Sequence, residues 1–118
     1  MIVAIVGSRC EGRAADRCSN IVKYAISVLP SGVIIMSGGA KTGADFWAKK
    51  WALEFRRQYI EAPANWGGLG LGAGFARNKT IVEVSDMILS VWDGKSRGTK
   101  DTMDIANAVG RPLWVVQL

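Results

Sequence analysis

Ser37-Gly38-Gly39-Ala40-Lys41-Thr42-Gly43-Ala44-Asp45 is the stretch of this chain best suited to chemistry. An apolar run, Val33 to Met36, leads into it, and apolar residues at helical spacing lead out of it. Glycine permits a tight turn and a close approach of backbone to ligand. A helix that follows directs its free amides and the positive end of its dipole at the same ligand. A second turn of this kind, Asp93-Gly94-Lys95-Ser96-Arg97-Gly98-Thr99, follows another apolar run near the far end. Two such turns in one short chain point to the binding of a phosphorylated small molecule.

Neither turn carries the common nucleotide signatures. A Walker loop needs four residues between its first glycine and Gly-Lys-Ser/Thr, and the dinucleotide fingerprint needs a middle glycine that Gly7-Ser8-Arg9-Cys10-Glu11-Gly12 lacks. ATP hydrolysis of the kinase type and hydride transfer are therefore disfavoured. Thr42 and Asp45 have capping-box spacing, so Asp45 has two readings, a helix cap or a carboxylate facing a ribose hydroxyl. Arg77 and Asn78 fall in the first turn of a predicted helix, where an arginine is either a surface charge or a two-bonded phosphate ligand. Asp93 ends a strand and is expected to enter the cleft; Ser96 and Thr99 supply hydroxyls and Gly98 close approach. Thr99 is equally a candidate helix cap. Trp92 and Trp66 are the two candidates for stacking on a base. Trp47, Trp51 and Trp114 are expected in the core.

Composition narrows the chemistry further. The chain has 118 residues, enough for one domain, and its 49% hydrophobic content excludes a disordered chain. It has no histidine and two cysteines, which nearly excludes the common zinc and iron sites and a disulfide framework. No resident metal or cofactor is expected; a magnesium ion carried by ligand phosphates stays open. Cys10, beside Arg9, is read as an ordinary free thiol. No apolar run reaches the ~18 residues of a membrane span, and no basic segment precedes a long apolar stretch, so a cytoplasmic location is expected. The net charge is +5, and eight of the fifteen basic residues (Arg9, Arg13, Lys41, Arg77, Lys79, Lys95, Arg97 and Lys100) fall in or beside loops that follow strands. Such an edge attracts anions.

These residues need a scaffold that gathers them. Ile2 to Val6, Val33 to Met36, Tyr59 to Ala62, Asp86 to Trp92 and Leu113 to Val116 read as strands. Ala14 to Leu29, Gly43 to Arg57, Gly74 to Val84 and Thr99 to Val109 read as helices. Strict alternation predicts an α/β doubly wound, Rossmann-like parallel sheet of five strands, order 3-2-1-4-5, with helices on both faces. Ligands bind such sheets at the carboxyl ends of the strands, at the switch point. That places Gly7, Ser8 and Arg9 beside Trp92, Asp93 and Gly94, with the Ser37 to Gly43 turn next to them.

With those residues placed, the chain resembles the SLOG superfamily, a Rossmann-like group that includes the LOG phosphoribohydrolases, the molybdenum-cofactor carrier proteins and DprA. The likeness spans residues 1–118 as a single domain and is similar to the small, single-domain branch. It rests on Gly7-Ser8-Arg9, Ser37-Gly38-Gly39-Ala40, Gly43-Ala44-Asp45, Ala62-Pro63-Ala64 and Trp66, then on Ala73-Gly74, Arg77-Asn78, Trp92-Asp93-Gly94, Ser96 and Gly98-Thr99. The resemblance implies a pocket for a nucleotide or nucleotide-derived ligand, often in a homodimer. LOG enzymes carry an arginine before the fourth strand and then Pro-Gly-Gly-x-Gly-Thr-x-x-Glu. Arg77 and Gly98-Thr99 match parts of that pattern, whereas the glutamate position falls on Thr102. The resemblance therefore implies phosphate binding more than glycosidic-bond hydrolysis.

The expectation is a module that senses, carries or sequesters a nucleotide-type ligand. A LOG-like hydrolase of N-glycosidic or phosphate bonds is the second reading, and DprA-like binding of single-stranded DNA the third. A nucleic acid partner and a membrane are not expected. A homodimer is, since the helix with Trp47 and Trp51 carries more aromatic surface than a small core covers.

Overall fold

The computed structural model describes residues 1–62 and 73–118. Pro63, Ala64, Trp66 and the glycine-rich loop to residue 72 lie outside them. The elements run β1 (Ile2–Gly7), α1 (Arg13–Val28), β2 (Ile34–Ser37), α2 (Gly43–Glu54), β3 (Tyr59–Glu61), α3 (Ala73–Val84), β4 (Met87–Trp92), α4 (Arg97–Ala108) and β5 (Leu113–Gln117). The five strands form one parallel sheet in the order β3-β2-β1-β4-β5. This is the expected doubly wound arrangement. β1 and β4 pair from Val3↔Met87 to Gly7↔Val91, so their carboxyl ends leave the sheet side by side.

Continuous apolar strands suit this position because both faces of the central sheet are covered. Val3 and Ile5 of β1 pack with Cys18, Val22 and Ile26 of α1 and with Ala44, Ala48 and Ala52 of α2. The alternate residues Ala4 and Val6 pack on the other face with Ile81 and Val82 of α3 and Ala106 of α4. Three alanines along α2 let that helix lie close to the sheet. Its aromatics flank that face: the Trp51 indole N–H donates to Ser19 Oγ of α1 at 3.1 Å, while Phe46 and Phe55 are exposed.

Two expectations about the core need correction. Trp114 is 69% exposed rather than buried. It lies on edge strand β5 opposite Leu89, on the face where α1 and α2 gather over the centre of the sheet. Trp47 and Trp51 are half-buried and pack on the core margin, where their rings stack at 6.4 Å. Helix α2 also ends three residues before Arg57, the end that its apolar spacing suggests. Arg56 adopts φ 54° and reverses the chain, and the Arg57 amide donates to the Ala52 carbonyl at 2.7 Å. The freed Arg57 side chain donates to the carbonyls of Ile26 (2.9 Å), Pro30 (2.6 Å) and Leu29 at the end of α1. The Ile26 and Pro30 carbonyls also accept from the Leu29 (3.3 Å) and Val33 (3.1 Å) amides, so this arginine reinforces the chain end that follows α1 and ties it to α2.

Candidate functional site

Three connections meet above the carboxyl ends of the strands: β1 to α1, β2 to α2, and β4 to α4. They enclose a cleft of about 360 Å³. Ten of the expected site residues line it: Gly7, Arg9, Ala40, Asp45, Arg77, Asn78, Asp93, Ser96, Gly98 and Thr99. Val6, Ile81 and Thr102 line it as well. Only Thr102 carried a signal in the sequence, as the residue at the LOG glutamate position.

The remaining expected residues support the cleft without lining it, among the described residues. Ser8 is buried, and its hydroxyl accepts from the Asp93 amide at 3.0 Å, which fastens the β1 loop to the β4 loop. Ser37 is buried and shares a 2.6 Å bond with the Tyr59 hydroxyl. Trp92 donates its indole N–H to the Ser96 carbonyl at 3.1 Å and so braces the loop from outside the cleft. Gly94 lies beside Gln117 on the far side of the same loop. Trp66, the other stacking candidate, lies outside the described residues.

The first glycine turn does not offer its amides as expected. Asp45 folds back into it: the Ala40 amide donates to Oδ2 at 3.1 Å, and the Gly38 amide faces the same carboxylate. The Gly39 amide donates to the Ser37 hydroxyl at 3.3 Å. The turn is thus a nest already filled by the Asp45 carboxyl group. Thr42 is the N-cap of α2, yet no side-chain capping bond forms there, so the capping-box reading of Asp45 is also corrected. Arg77 completes the arrangement from α3, donating through Nη1 to the Gly38 carbonyl at 3.2 Å. Gly39 itself has φ 77°, and a Cβ there would meet the Glu61 side chain at 2.6 Å. A larger residue at this position disturbs the turn before it can block a ligand.

Asp45 is 8% exposed. Burial pushes its carboxyl above the ordinary range, against the opposing pull of the Ala40 amide, the Arg77 guanidinium, the Gly38 amide and Arg9. The sign follows from linkage. The folded state holds the Asp45 proton more tightly than the unfolded state does, so ionisation costs stability once pH exceeds the unfolded value of about 3.9. Asp45→Asn removes that cost. Its stability relative to the parent is expected to rise as pH goes from 3 to 7, and to level off above the folded pKa. Urea denaturation at both pH values checks this; a difference that does not change with pH would refute it.

The second turn is open where the first is closed. Asp93 Oδ1 accepts from the amides of Lys95 and Ser96, each at 2.8 Å. Those amides, Ser96 first, hold its carboxyl below the ordinary range. This bends the chain into α4. Ser96 is the N-cap and makes no side-chain capping bond; its hydroxyl pairs with Thr99 Oγ1 at 3.2 Å. The first amides of a helix have no internal acceptor. Those of Arg97, Gly98 and Thr99 have no partner among the described residues, and Gly98 and Thr99 line the cleft.

Asn78 locks this helix start to Arg77. It is 5% exposed and spends every polar atom. Its Oδ1 accepts from Arg77 Nε at 3.1 Å, while Nδ2 donates to the Gly98 carbonyl at 3.1 Å and to Asp101 Oδ2 at 3.2 Å. Thr102, at the LOG glutamate position, donates to the Gly98 carbonyl at 3.3 Å. It shapes the cleft and brings no carboxylate. Among the described residues, no three of His, Cys, Asp or Glu gather as a metal site. Cys10 donates to the Ser8 carbonyl at 3.3 Å, and burial pushes the Cys18 thiol up to about 12.

No family model and no curated protein matches this chain in sequence. Solved structures do match its fold. The molybdenum cofactor binding protein from the phototrophic bacterium Rippkaea orientalis superposes with a TM-score of 0.77 at 19% identity, covering 99% of this chain and 76% of that one. The molybdenum cofactor carrier protein MCP from Chlamydomonas reinhardtii gives 0.68 at 21% identity, over 97% and 74%. DNA processing protein A from Helicobacter pylori, described with a single-stranded DNA binding mode, gives 0.68 at 21% identity, over 100% and 66%. The chain therefore shares the Rossmann-like fold of these proteins. No described helix is long and apolar enough to cross a membrane.

Proposed function

We propose that this protein binds a nucleotide or nucleotide-derived small molecule, as a carrier or sequestering module. The observation that carries this reading is the start of α4, which has no side-chain cap and whose Gly98 and Thr99 line a cleft also lined by Arg9 and Arg77. In this reading a phosphate accepts from the α4 amides, and the two guanidinium groups neutralise it. Asp45, held by the glycine turn, faces a sugar hydroxyl as acceptor. Magnesium, where it takes part, arrives on the ligand's phosphates. The similar structures that bind molybdenum cofactor support a small-molecule ligand. Thr102 in place of a glutamate favours binding over glycosidic hydrolysis. A nucleotide panel tests the reading by thermal shift, with chromatography of the same mixtures for turnover. A ligand at ~100 times its Kd stabilises the fold by about 2.7 kcal/mol, an easily measured shift. The reading fails if no nucleotide stabilises the protein.

We also propose that the active form is a homodimer. Phe46 meets Trp47 edge-on at 4.9 Å, and Trp47, Trp51 and Phe55 stack in a row along α2 at 6.4 and 5.7 Å. Phe46 and Phe55 remain exposed. A second copy of this face covers the apolar ring surfaces. Light scattering at micromolar concentration is expected to give twice the monomer mass, and Phe46→Glu to return the monomer.

A further inference from the structure

Cys10 and Cys18 make a second chemical centre, apart from the residues that line the cleft. Cys18 lies on α1 and is fully buried. Cys10 is half-buried in the loop between β1 and α1 and packs against the core cluster that contains Cys18. The two thiols face each other there, close enough to share a hydrogen bond. Burial first, and then the facing Cys10, push the Cys18 thiol up to about 12. Cys10 also donates to the Ser8 carbonyl at 3.3 Å, and no other donor reaches that carbonyl among the described residues. Ser8 is held by its other polar atoms as well. Its amide donates to the Val91 carbonyl at 2.9 Å, and its hydroxyl accepts from the Asp93 amide at 3.0 Å. Arg9, which lines the cleft, sits between Ser8 and Cys10 in the chain.

We propose that Cys10 and Cys18 are a reversible dithiol–disulfide pair whose oxidation loosens the loop that carries Arg9. The oxidant is a small-molecule disulfide. Cys10, the more accessible thiol, loses its proton, and its sulfur attacks one sulfur of that disulfide. The small S–S bond breaks, and one half leaves as a thiolate. Cys18 then loses its proton and displaces the second half from the Cys10 sulfur. One protein disulfide forms, the small disulfide is reduced to two thiols, and the two protons end on those thiols. The thiolate is the attacking form, so the tightly held Cys18 proton makes the second step the slow one. A disulfide sulfur has no hydrogen to donate, so the Ser8 carbonyl loses its donor. Ser8 joins the β1 loop to the β4 loop, and both sides of the cleft respond.

Incubation with glutathione disulfide at mildly alkaline pH tests this. Intact mass and peptide mapping are expected to show a Cys10–Cys18 bridge that dithiothreitol reverses, preceded by a glutathione adduct on Cys10. Cys18→Ala is expected to stop at that adduct, and Cys10→Ala to take up no glutathione. In the bridged parent the Ser8 and Asp93 amides are expected to exchange with deuterium about fivefold faster than in the reduced protein, as the loss of one hydrogen bond provides. Asp93 is far along the chain from both cysteines, so its amide reports movement of Ser8 and not the bridge itself. A parent that stays reduced, or that stops at the adduct, overturns the pair. A bridge that leaves both amides unchanged overturns the loosening. Both outcomes are read on the parent alone, so neither depends on whether Cys18→Ala folds.

Discussion

Arg77→Ala is expected to weaken ligand binding ten- to a hundredfold while the parent returns its nucleotide unchanged after long incubation. The guanidinium lines the cleft, bonds the Gly38 carbonyl at 3.2 Å and is oriented through Nε by buried Asn78. A charge-assisted contact of that kind contributes ~1.5–3 kcal/mol, which sets the fold-change. Arg77 also faces buried Asp45, so its loss leaves that carboxylate with less opposing charge. Some stability is therefore lost with the affinity, and binding must be measured on protein shown to be folded. Hydrolysis predicts a different pattern. An arginine opposite charge that develops in the transition state lowers turnover more than ground-state affinity when removed. Release of free base, ribose phosphate or inorganic phosphate by the parent, lost in Arg77→Ala, would falsify the binding-only reading.

Gly43→Ala and Gly98→Ala are expected to separate fold from site. Gly43 opens α2 at φ 76°, and a Cβ there would run into the Ser8 carbonyl and come within 2.8 Å of Arg9 Cα. Left-handed backbone costs a non-glycine residue about 1–2 kcal/mol before any clash is counted. The clash is with backbone, which cannot swing aside, so a total loss of roughly 3 kcal/mol or more is expected. Gly98 is the contrasting case. It lies in the first turn of α4, and an added Cβ meets nothing within 4 Å. Alanine there should leave stability unchanged or raise it slightly, since alanine suits a helix better. Gly98 nevertheless lines the cleft, so the added methyl group is expected to weaken binding there. Urea denaturation and nucleotide titration on both variants check the pair. If Gly98→Ala binds as the parent does, the anion does not sit at α4.

Much of this arrangement was legible because it depends on local patterns. Each central strand is a short apolar run, as burial on both faces requires, and Pro30 to Gly32 and Gly110 mark two of the breaks between elements. Alternation with helices and the right-handed crossover then left few sheet orders, and β3-β2-β1-β4-β5 is the one found. The same logic brought the loops after β1, β2 and β4 to one cleft, and ten expected residues line it. Trp114 escaped this reasoning because a strand pattern records apolarity and not cover. The helices gather over the centre of the sheet and leave the β5 edge exposed.

The sequence by itself determined the sheet, its order and the edge where charged and glycine-rich loops collect, because strand runs, helix periods and turn residues are properties of neighbours along the chain. Only the tertiary structure decided which glycine turn is open to a ligand. Both turns have the right composition. In the first, a carboxylate five residues away takes the Ala40 amide, and an arginine thirty-nine residues away takes the Gly38 carbonyl. In the second, Asp93 binds the loop amides and leaves those of α4 without partners among the described residues. Every buried amide needs an acceptor, but composition does not say which acceptor reaches it. That depends on where distant helices place their side chains.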